Sequence, residues 1–154
     1  MALASVQELA AGDALLEAAK AGHCEAVLRA LQADAKAGKA DAQFQLGAGA
    51  QEGHCLVKSA DQAFSWYYKA ADQGHADAQY ALGVAYDRGL GVDVNTQSAA
   101  YWMRKAAMQG HAKAQQRLGL FHETGRGVVK DAALAVEWYR KAAEQGDEIG
   151  RAHV

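Results

Sequence analysis

The stretch AAYWMRKAAMQGHAKAQQRLG, residues 99–119, decides the fold. It holds a Trp, a Lys-Ala-Ala, a Gln-Gly and a Leu-Gly, and each of these recurs before or after it at one interval. Gly47, Gly83 and Gly119 are spaced by 36 residues, as are Trp66, Trp102 and Trp138, Lys69, Lys105 and Lys141, and Gly74, Gly110 and Gly146. Three units therefore run over 40–75, 76–111 and 112–147 without insertion. A period between about 20 and 50 residues marks stacked supersecondary units, each too small to bury its own apolar face.

Each unit divides into two helices. In the second unit Ala78, Ala81, Leu82, Ala85 and Tyr86 fall on one helical stripe, and Ala99, Trp102, Met103, Ala106 and Ala107 repeat the same offsets. Between them DRGLGVDV, residues 87–94, supplies Gly89 and Gly91 where the backbone must reverse. Ser59, Asn95 and Asp131 share one phase ahead of the second helices, and each can cap a helix by accepting a bond from an unpaired N–H. Ser59 also has Gln62 three residues on, which predicts a capping box. Gln-Gly at 73, 109 and 145 is expected to end each second helix, glycine tolerating left-handed backbone.

Residues 1–39 lie outside this pattern and read as N-terminal capping helices. Ser5 and Glu8 suggest a capping box, Asp13 a cap for ALLEAAKA, and Gly22 a stop. CEAVLRALQADAKA then places Val27, Leu28 and Leu31 on one face. At the other end EIGRAHV, residues 148–154, matches the in-frame translation of a common sequencing adapter and is set aside as a non-native tail on a truncated metagenomic frame. The intact protein is then expected to continue with further repeats. Apolar surface at the C-terminal end is expected to support self-association.

Composition excludes several function classes. Sixteen basic residues against eighteen acidic ones, with no basic run, disfavour nucleic acid and anionic membranes as partners. No window reaches the roughly 18 apolar residues of a membrane span, and the N-terminus lacks the positive start and unbroken apolar run of a signal peptide. Cys24 and Cys55 fall outside CxxC spacing and are read as reduced and buried, which implies a cytoplasmic location.

A unit of the form AxAQxxLGxxYxxGxGVxxxxxxAxxWxxKAAxQGH resembles the Sel-one-like repeat, a relative of the tetratricopeptide repeat, and the match covers 40–147. The resemblance implies an all-α, right-handed solenoid of stacked antiparallel helix pairs that serves as a non-catalytic scaffold or adaptor for a protein or peptide. An alternative, from secreted cysteine-rich members, is an envelope-associated protein with weak β-lactam-binding, hydrolase-type activity. The first unit departs from the pattern with Ala50 where Tyr86 stands and Cys55 where Gly91 and Gly127 stand. The third has His122 at the Tyr86 position, with Phe121 expected to fill the gap.

No catalytic residue, cofactor or metal is expected. Trp66, Trp102 and Trp138 sit in apolar stripes and read as packing between units. His75 and His111 share a turn position, too far apart for one ion, and His122-Glu123 has Arg126 where a zincin's second His would stand. GLGVDV links two helices, whereas a nucleotide loop joins a strand to a helix.

The candidate site is the concave face, which the resemblance assigns to the first helix of each unit. Its positions are Asp41, Phe44, Ala48, Gln51 and Glu52 in the first unit, Asp77, Tyr80, Val84, Asp87 and Arg88 in the second, and Lys113, Gln116, Leu120, Glu123 and Thr124 in the third. Phe44 and Tyr80 are expected as aromatic anchors outside the core. With Asp41, Asp77, Asp87 and Glu123 around them, a mildly acidic groove for a peptide with apolar anchors and basic flanks is expected.

Overall fold

The computed structural model describes the backbone of residues 13–152 and the side chains of residues 13–146. The Ser5–Glu8 capping box lies outside the described residues. Eight helices follow in order among those residues: α1 Ala14–Ala21, α2 Cys24–Lys36, α3 Ala40–Glu52, α4 Ala60–Asp72, α5 Ala76–Arg88, α6 Thr96–Met108, α7 Ala112–Thr124 and α8 Ala132–Ala152. Each packs against the one before and the one after, so the chain is a stack of helix pairs. The period extends further back than the sequence pattern, because α2 begins 36 residues before α4 and Gly38, like Gly74 and Gly110, turns left-handed at its end.

Local chemistry sets the boundaries. Ser59, Asn95 and Asp131 accept bonds from the N–H groups of Gln62, Ser98 and Leu134 at 3.0–3.2 Å, capping α4, α6 and α8. The backbone N–H of each cap donates back to the first helix, at the carbonyls of Ala50, Tyr86 and His122. That bond needs no particular side chain, so the loop closes alike despite Ala50 and His122 standing where the second unit has Tyr. Asp13 precedes α1 without a side-chain cap; instead the Ala14 N–H donates to Gln45 across to α3, at 3.3 Å. Nor does Gln145-Gly146 end its helix, since α8 continues to Ala152.

Small residues set how closely helices meet. A Cβ on Gly83 would lie 3.0 Å from the Met103 side chain, and one on Gly119 2.8 Å from the Tyr139 ring, so the Leu-Gly pairs let each first helix settle onto the second. Leu46, Leu82 and Leu118, beside these glycines, are at most 1% exposed, and Phe121 is buried as expected from its neighbour His122. Burying each such leucine contributes roughly 2 kcal/mol.

The joints carry a polar relay. Gln43, Gln79 and Gln115 are buried among apolar neighbours, yet each amide donates to the carbonyl of Ala35, Ala71 or Ala107 in the last turn of the preceding second helix, at 3.1–3.3 Å. Each also accepts from the glutamine 30 residues later: Gln73 to Gln43, Gln109 to Gln79 and Gln145 to Gln115, at 2.7–2.8 Å. No buried side-chain N or O among the described residues lacks a partner.

The cysteines are not reduced. Cys24 and Cys55 form a disulfide with Cα atoms 5.2 Å apart. Cys24 opens α2, and Cys55 holds the left-handed loop position (φ 63°) that Gly91 and Gly127 hold in the later units. There a Cβ would lie about 2 Å from the carbonyl of Ala60 or Thr96, the first residues of the preceding second helices, again 31 residues earlier. The bridge therefore replaces a close backbone contact, and residues 31 apart meet only because the units stack.

Closing a loop of about 31 residues contributes roughly 3–4 kcal/mol. Reduction, or Cys24→Ser with Cys55→Ser, should lower the melting temperature by about 10 °C; two titratable thiols in protein purified without reductant would contradict the bridge. Gly91→Ala should cost more than about 2 kcal/mol, from positive φ and the collision with Ala60 together. Gly110→Ala, with positive φ but open space around it, should cost less, as read by urea unfolding.

Candidate interaction groove

Because α3, α5 and α7 share a phase, their same-numbered faces align, and α4 closes the floor between the first two. The result is a groove of about 720 Å³. Of the concave positions read from the sequence, Phe44, Gln51, Glu52, Asp77, Tyr80, Val84, Arg88 and Lys113 line it. Gln116 and Leu120 line an adjoining depression that shares Tyr80, Lys113 and Arg117 with the groove. Ala48, Asp41, Asp87, Glu123 and Thr124 line neither.

The aromatic anchors differ from each other. Phe44 is only 9% exposed and belongs to the core, its ring stacked on His75 at 4.8 Å and tilted against Tyr67 at 5.6 Å. Tyr80 is half-buried and stacks on His111 at 4.7 Å, leaving part of its surface to the groove. Both histidines cap helices: Nδ1 of His75 accepts from the Ala78 N–H, and Nδ1 of His111 from the Ala114 N–H. An accepting Nδ1 leaves the proton on Nε2, which donates to Asp41 at 3.3 Å or Asp77 at 2.9 Å. The shared turn position of these histidines is thus a joint between units.

The expected acidity is not there. Asp41 and Asp77 are engaged by histidine, Asp87 accepts from the Arg126 Nε at 2.6 Å, and Glu123 accepts from the Tyr139 hydroxyl at 2.6 Å. Thr124 donates to the Leu120 carbonyl of its own helix. That hydrogen bond to Glu123, with some burial, pushes the Tyr139 hydroxyl up to about 12. Tyr67, which donates to Gln51 at 2.7 Å, is raised by burial and then by the charge of Glu52. Meanwhile Lys58, from the loop before α4, and Arg117, from α7, join Arg88 and Lys113 in the lining. Four cations thus face two carboxylates, Glu52 and Asp77.

Sequence reasoning missed Lys58, Phe64, Tyr67, Leu90, His111 and Arg117. Arg117 stands at the stripe position of Ala81 and Gln45, where an inward residue was expected. Its side chain is instead half-exposed in the groove. Its charge at an apolar phase was the available signal.

The Sel1 repeat profile matches residues 40–75, 76–111 and 112–147. A Sel1 repeat protein from Oxalobacter formigenes is similar at 39% identity and a TM-score of 0.80, over 86% of this chain and 55% of its own. A protective antigen of uropathogenic Escherichia coli strains, displaying an SLR fold, is similar at 42% identity and 0.74, over 77% of this chain and 26% of its own. The chain thus spans about half of the first protein and a quarter of the second. Helicobacter pylori cysteine rich protein B shares the fold, at 20% identity and 0.63, over 85% of this chain and 94% of its own. No curated protein sequence matches the chain. With three repeats in one register, and helix pairs that superpose on solved repeat proteins at up to 39–42% identity, the chain belongs to the Sel1-repeat family.

Proposed function

We propose that this chain is a non-catalytic scaffold that holds a segment of a partner protein along the groove of α3, α5 and α7. Sel1 repeat proteins are commonly interaction scaffolds, which is the background to this assignment. The observation that carries it is the groove itself: an open channel on helices, lined by half-buried Tyr80 and Val84 and by the exposed, charged Arg88 and Lys113. Rigid aromatic anchors flanked by charge are the residues from which interfaces draw most of their binding free energy. The disulfide also removes the reduced-thiol ground for a cytoplasmic location, and we propose that the chain works in an oxidising compartment. Thiol counting on protein taken unreduced from its native host tests that placement.

A partner isolated by pull-down and then purified should bind Tyr80→Ala with Arg88→Ala at least about tenfold more weakly, while the helical circular dichroism is unchanged. Tyr101→Ala, an exposed position on α6 outside the groove, should bind normally. Loss with Tyr101→Ala and retention with the groove pair would place the interface elsewhere.

A further inference from the structure

We infer that the segment held in this groove is acidic: a stretch of Asp and Glu carrying an aromatic or large aliphatic side chain. This rests on the groove being the binding face. The cations are the first ground. Lys58, Arg88, Lys113 and Arg117 line the groove, and none has an ion pair or hydrogen bond among the described residues. Arg126, by contrast, lies outside the groove and is held by Asp87.

The carboxylates are the second ground. Asp77 is occupied by the Nε2–H of His111, and Glu52 accepts from Gln51 at 3.2 Å, so the lining keeps an excess of two positive charges although the whole chain carries −2. A positive channel on a slightly negative molecule selects an anionic ligand locally and repels one elsewhere.

Placement is the third. Tyr80, Lys113 and Arg117 belong both to the groove and to the adjoining depression, so charge and apolar surface meet at one point. An acidic side chain can reach the Arg117 guanidinium and Lys113 ammonium while a neighbouring apolar one covers Tyr80 and Val84; the planar guanidinium suits a carboxylate in particular. A segment with basic flanks would set like charges against the four groove cations. The low overall basicity, sixteen basic residues against eighteen acidic ones, argues for a protein segment over a nucleic acid.

The test uses the full chain and three fluorescent probes in anisotropy titrations: an acidic peptide with a central Phe, its Lys-for-Glu counterpart, and a single-stranded oligonucleotide of equal length. The acidic peptide should bind best, and more weakly as salt rises. Arg88→Glu with Lys113→Glu should weaken it at least about tenfold, since two attractive contacts become repulsive ones. Both positions are exposed, so the fold should persist, and circular dichroism checks this. Equal or tighter binding of the basic peptide, sensitive to Tyr80→Ala, would overturn the acidic assignment and leave the groove standing. Preference for the oligonucleotide would also overturn it. Binding of the acidic peptide that ignores both Tyr80→Ala and the charge reversal would overturn the groove as well.

Discussion

The buried glutamine relay is the interaction on which the rest of this stack depends. A solenoid must join the end of one helix pair to the start of the next, and helix ends expose carbonyls that need donors. Gln79 meets that need for α4 while its oxygen receives Gln109 from the end of α6, so one side chain ties three helices together. Gln43 and Gln115 repeat this at the neighbouring joints. In a low-dielectric joint such bonds are strong when complete and costly when broken, which fixes the angle between pairs.

From that fixed angle the groove follows. Aligned first helices form a channel, His75 and His111 lock each new first helix to the aromatic residue and aspartate of the last, and the side chains left over face solvent. What varies between units at these positions is not required by the joints. Arg88, Lys113 and Arg117 are of that kind.

The repeat, the unit boundaries and the caps at Ser59, Asn95 and Asp131 were legible because each is a local signal repeated in phase. Less legible were features that arise only when units stack. Cys24 and Cys55 look unrelated in sequence and meet across a joint. Gln79 looks like an exposed polar residue beside the stripe, and it is buried because Ala71 and Gln109 come to it from both sides. Eight of the first-helix positions line the groove, but its charge was not readable: Asp87 is held by Arg126, 39 residues later in the chain. Phe44 and Tyr80 occupy one phase, yet Phe44 is buried against Tyr67 while the same position behind Tyr80 holds Met103.

The most direct measurement is a double-mutant cycle on Gln79 and Gln109 by urea unfolding. Each alanine substitution alone should cost about 1–3 kcal/mol, since Gln109→Ala strips a donor from the buried Gln79 amide and Gln79→Ala strips one from the Ala71 carbonyl. The pair should couple by at least about 0.5 kcal/mol, because each residue's bond requires the other. Single effects that add to within about 0.3 kcal/mol would contradict a relay that works as one unit.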